Sequence, residues 1–87
     1  MPVSNTSLVE RIARVIAGRV VSINAGGSDA SAGDRVDSIW RDYRDDALSV
    51  IRTLREPDEP MAQAGDVETW ERMIEAALAE AGEGIDS

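Results

Sequence analysis

The chain lacks cysteine, histidine, lysine and phenylalanine altogether. Without thiols or imidazoles it has no disulfide staple, no thiolate nucleophile, no imidazole base and none of the common zinc ligand sets. Without lysine it has no Schiff-base amine and no phosphate-loop lysine, and all nine basic residues are arginines. Aromatics are sparse, two Trp and one Tyr, so a core must be built from aliphatic side chains. No apolar run approaches the ~20 residues a membrane span needs. The arginine-bearing, amphipathic start VERIARVIAGRVV also suits a transit peptide, but Glu10 and the fit to a core helix favour a folded segment and a cytoplasmic protein.

What is there is acidic: 17 Asp and Glu give a net charge of −8 over 87 residues. This excess repels nucleic acid and anionic lipid, so the composition argues against direct binding of either and for a basic protein partner. The charge is uneven. Residues 1–55 carry eight Arg against seven acids, whereas residues 56–87 carry Arg72 alone against ten acids.

Hydrophobic periodicity predicts an all-α single domain over 1–87: a small bundle of three main helices, about 7–19, 36–55 and 67–81, plus a one-turn helix at about 59–64. Residues 1–6 and 83–87 have nothing to bury and read as disordered, and 24–33 as a flexible loop. Ser7-Leu8-Val9-Glu10 fits a capping box for the first helix, whose apolar face comprises Leu8, Val9, Ile12, Val15, Ile16 and Val20. The run Arg19 to Ile23 is β-branched enough to be a last turn or an extended piece.

The longest helical stretch, Val36 to Arg55, is capped by Asp34 or Asp37 and aligns Val36, Trp40, Tyr43, Ala47, Val50 and Leu54, with Ile39, Leu48 and Ile51 beside them. It is expected to be the central helix, flanked by the other two, with Trp40 and Tyr43 on the first. Pro57 stops it. Asp58 then caps a turn ended by Gly65, and Asp66 caps the last helix, with its stripe of Val67, Trp70, Met73, Ile74, Ala77, Leu78 and Ala81 and its stop at Gly82.

The run Leu54-Arg55-Glu56-Pro57, followed by Met61, Ala64-Gly65, Trp70 and Met73-Ile74-Glu75-Ala76-Ala77-Leu78, resembles a set of short uncharacterised proteobacterial and prophage proteins. The resemblance covers about Trp40 to Ala81, departing at Asp58, where Thr is usual, and Pro60, where Ala is usual. It implies a mobile-element neighbourhood and assigns no catalytic residue. Small acidic phage proteins include anti-CRISPR inhibitors that occupy DNA-binding channels.

Four features of the chain invite a specific chemistry. The loop NAGGSDASAG matches neither a phosphate-loop nor a dinucleotide spacing and reads as a linker. Asp42, Asp45 and Asp46 lie at i, i+3 and i+4 and invite a hard cation, but solvated acids relieved by Arg41 and Arg44 are the commoner arrangement, so neither metal nor cofactor is expected. A helix-turn-helix around Pro57 would make its recognition helix the acidic one, the wrong sign for a major groove. The acidic C-terminal third carries the functional expectation: a non-enzymatic module binding a host protein or nucleoprotein complex with a basic surface. Its contact residues are Glu68, Glu71, Glu75 and Glu80, with Asp58 and Glu59 at the rim. The alternative is a self-associating helical protein, a homodimer through Trp40, Tyr43, Trp70 or Met73, with charge serving solubility.

Overall fold

The computed structural model describes residues 3–24 and 32–82, and these form an all-α bundle. Its elements are α1 (Leu8–Asn24), α2 (Ala32–Ile39), a 3₁₀ turn (Trp40–Tyr43), α3 (Arg44–Leu54), α4 (Glu59–Ala64) and α5 (Val67–Glu80). The expectations for residues 1–2, 25–31 and 83–87 lie outside the described residues.

α1 begins as its capping residue dictates. The Ser7 hydroxyl accepts from the Glu10 amide at 3.2 Å, and the Ser7 carbonyl accepts from the Arg11 amide at 3.1 Å. The return arm of the box is replaced. Glu10 instead receives Arg14 Nε at 2.7 Å, one turn on. Ahead of it, Ser4 and Thr6 close a local turn, with the Ser4 hydroxyl accepting from the Thr6 amide at 3.0 Å.

The buried row of α1 is Val9, Ala13, Ala17 and Val21, spaced four apart, with Val15 turned to solvent. The centre of that face is therefore made of alanines rather than the larger residues beside them, which lets neighbouring helices approach closely. Burial of Val21 also decides the ambiguous β-branched run: packing overrides its propensity and α1 continues to Asn24. From the other side, Ala32 and Gly33 already belong to α2, which shortens the expected 24–33 loop at both ends.

The stretch expected as one long helix is instead two α-helices joined by the 3₁₀ turn. No glycine or proline lies between Val36 and Arg55, so the break has a tertiary cause. Ile39 departs from helical geometry at φ −117° and ψ −7°, and Trp40, 8% exposed, enters the core directly after it. Arg14 and Arg41 place their guanidinium carbons 5.3 and 4.6 Å from the centroid of its ring. Asp37, one of the two expected caps, instead accepts from Arg14 Nη1 at 2.5 Å and ties α2 to α1. These two bonds, Asp37 first and Glu10 second, raise the Arg14 pKa further above its ordinary value.

Once broken, the two halves no longer share a stripe. α2 and the 3₁₀ turn pack on α1, while α3 packs on both α1 and α5, and its buried residues are Ala47, Leu48 and Ile51. Val50 and Leu54, expected in the core, are 42% and 37% exposed. The hub of the bundle is accordingly α1, which touches α2, the 3₁₀ turn, α3 and α5, rather than the Val36–Arg55 stretch.

α5 adds Ile74 and Leu78 to the core and is fastened at both ends. Asp66 caps its start, accepting from the Thr69 amide at 3.2 Å and from the Thr69 hydroxyl. At its end Gly82, at φ +87°, takes the left-handed turn that favours glycine, with its amide on the Ala79 carbonyl at 2.9 Å. Arg44 Nη2 donates to the Ala81 carbonyl, a cation on the negative end of the helix dipole. No charged or polar residue is buried among those described.

Candidate functional site: the α4–α5 face

α4 starts where Pro57 and Asp58 require. Asp58 Oδ1 accepts from the Met61 amide at 3.2 Å, and Pro60 sits in the first turn, where its missing N–H has no helical partner to lose. Gly65 ends α4 as expected, and does so in extended backbone, φ −155°, rather than in a left-handed turn. α4 buries no residue. Pro57 and Ala62 are half-buried.

Between α4 and α5 lies an open groove of about 240 Å³. Pro57 and Met61 line one side and Val67, Trp70 and Met73 the other, with Gly65, Asp66 and Thr69 completing it. Met61, Val67 and Met73 are 41%, 37% and 61% exposed and stand outside the core cluster. Sequence reasoning placed Val67 and Met73 in the core stripe. The structure shows that the stripe of α5 is wider than its partners can cover: Ile74 and Leu78 face α1 and α3, and the Met73 side is left open.

The polar side chains of Trp70, Asp66 and Thr69 are already engaged in hydrogen bonds. Trp70 Nε1 donates to the Leu54 carbonyl at 2.7 Å, which satisfies a carbonyl at the end of α3 that has no helical donor and fixes the indole as a wall. The Asp66 carboxylate is held by the Thr69 hydroxyl and amide. These bonds favour its ionised form and hold its carboxyl below the usual range.

The expected contact acids separate into two sets. With about 100° of turn per residue, Glu68, Glu71 and Glu75 share the flank of α5 that faces away from the groove, with Arg72 beside them. All three are exposed. Glu75 makes one loose contact, 3.8 Å to Arg55 Nη1, and among the described residues the carboxylates of Glu68, Glu71 and Glu80 have no partner. Glu80 lies two turns beyond Met73, on the groove side. Asp58 edges the groove through its bond to Met61, and Glu59 is turned to Gln63, whose Nε2 donates to it at 3.1 Å.

Of the self-association candidates, Trp40 is covered within the chain, Tyr43 and Trp70 are half-buried, and Met73 is open. Asp42, Asp45 and Asp46 are exposed, and among the described residues no group of three acids is gathered as a cation site. No described helix is long and apolar enough to cross a membrane.

No family model, no curated protein and no solved structure matches the chain.

Proposed function

We propose that this chain is a non-enzymatic protein-binding module whose acidic C-terminal segment docks, through the α5 flank that faces away from the groove, on a basic surface of a host protein or nucleoprotein complex. The observation that carries the reading is the row Glu68, Glu71 and Glu75, exposed at successive turns and relieved by one loose arginine contact. A rise of about 1.5 Å per residue sets these carboxylates roughly 4.5 and 6 Å apart along the axis, a rigid row that an Arg- and Lys-lined channel meets as it meets a phosphate backbone. The dense negative segment steers such a partner from a distance.

The sharper form, suggested by the resemblance to prophage proteins, is an anti-CRISPR-like inhibitor occupying the nucleic-acid channel of a host complex. The test is a pull-down against purified CRISPR effector complexes from about 50 to 300 mM salt, with DNA competition. Binding that weakens with salt, is displaced by DNA and disappears in the triple Glu68→Arg, Glu71→Arg, Glu75→Arg variant is the expected result. Binding indifferent to that charge reversal would remove the basis of the proposal.

One observation favours a second reading. The exposure of Met73 beside Trp70 suits self-association. Sedimentation velocity at two concentrations separates the readings, since a strict monomer leaves the second unsupported.

A further inference from the structure

The groove between α4 and α5 is distinct from the glutamate row, and its chemistry points to a particular occupant. Its volume of about 240 Å³ lies below the roughly 300–1,000 Å³ of small-molecule and cofactor sites and suits one large side chain or two small ones. Its walls are the thioethers of Met61 and Met73, Val67, Pro57 and the Trp70 ring, which adapt readily to an aliphatic or aromatic insert. Because Trp70 Nε1 is engaged by Leu54, and Asp66 by Thr69, an apolar insert takes no hydrogen-bond partner from either side chain.

The surroundings set the charge of whatever carries that insert. Of the eight acids in residues 56–82, Glu68, Glu71 and Glu75 lie on the far flank of α5 with Arg72, the segment's sole base, whereas Asp66 is in the groove lining, Asp58 at its edge and Glu80 on its side of α5. A second copy bringing the same face would oppose two such segments, and like charges brought together across an interface cost binding. The complementary occupant has a large apolar residue flanked by Arg or Lys. An open trough between two helices receives a helix more naturally than a loop end.

We infer that the α4–α5 groove is a docking site for a basic amphipathic helix of a partner protein, which inserts one apolar anchor between Met61, Val67, Trp70 and Met73. This rests on the reading of the acidic C-terminal segment as protein-binding and deepens it: the acids of the segment steer and orient, and the anchor supplies the residence time.

The test uses the full chain and a fluorescently labelled, end-blocked peptide of about 14 residues with leucine at every third or fourth position and arginine between. A control peptide of equal charge carries serine for leucine. Binding is read by anisotropy. Met61→Ser and Met73→Ser change exposed side chains, and circular dichroism checks that both variants stay folded.

The expected result is that the leucine peptide binds at least tenfold tighter than the serine peptide, and that each methionine variant removes roughly tenfold of that advantage. Equal binding of both peptides, unaffected by the methionine variants but abolished by reversal of Glu68, Glu71 and Glu75, overturns the groove and leaves the acidic-face reading standing. No binding of either peptide at low salt overturns both. A dimer that Met73→Ser dissolves assigns the groove to a second copy and overturns the present assignment.

Discussion

Ile51 and Val50 are neighbours of similar size and hydrophobicity on α3, yet the bundle treats them oppositely. Ile51 is 0% exposed, whereas Val50 is 42% exposed. Replacing Ile51 by alanine removes three carbons from a close-packed site bounded by α1 and α5, with a loss of transfer energy and a residual cavity that together cost about 2–5 kcal/mol. At roughly 0.05–0.15 kcal/mol per residue a domain of this length has about 4–13 kcal/mol in total. A loss near 3 kcal/mol is then a large share of it and lowers Tm by about 12–24 °C.

Val50→Ala removes methyls already largely in water, and the better helix propensity of alanine offsets part of the small loss, so the net effect is within about 0.5 kcal/mol of zero. Urea unfolding of both variants, followed by circular dichroism and tryptophan fluorescence, measures the contrast at constant m-value. Equal losses for the two, or a loss below about 1 kcal/mol for Ile51→Ala, would refute the placement of α3 between α1 and α5.

Three further outcomes follow from particular contacts. A Cβ built at Gly18, inside α1, meets Val36 Cγ2 at 3.9 Å, an ordinary contact, so Gly18→Ala raises stability by about 0.5–1 kcal/mol in thermal melts. Trp70→Phe keeps an aromatic ring but removes the donor to Leu54 together with the pyrrole part of the indole. It costs about 0.5–1.5 kcal/mol by urea titration, at the hydrogen-bond scale because the freed carbonyl reaches water. The Asp66 carboxyl is held below its ordinary value, so its cap stabilises α5 fully above about pH 4 and loses that contribution as pH falls through the lower folded value. The stability difference between the wild-type chain and Asp66→Asn, a cap that does not titrate, therefore shrinks as pH is lowered across that window, and a difference constant from pH 6 to pH 2 would contradict it.

The elements that local chemistry controls were legible in the chain itself. Ser7, Asp58 and Asp66 begin helices because a short side-chain oxygen meets the free amides of the first turn. Pro57 ends one by sterics alone, and Gly82 ends another through its left-handed backbone. The three-four alternation of apolar residues established the all-α class, and the charge asymmetry singled out the segment beyond residue 55.

Tertiary packing alone decided the rest. Which member of an apolar stripe is buried depends on where its neighbours lie: Ala13, Ala17 and Ile51 are enclosed, while Val15, Val50 and Met73 are open, although hydropathy ranks the two valines above the two alanines. The 3₁₀ break at Trp40, which carries neither glycine nor proline as a mark, arises as that ring packs into the core against α1. The α4–α5 groove belongs to the same class of fact. Its residues read as a continuation of the core stripe, and they line an open surface because the short α4 covers less of α5 than the α5 stripe is wide.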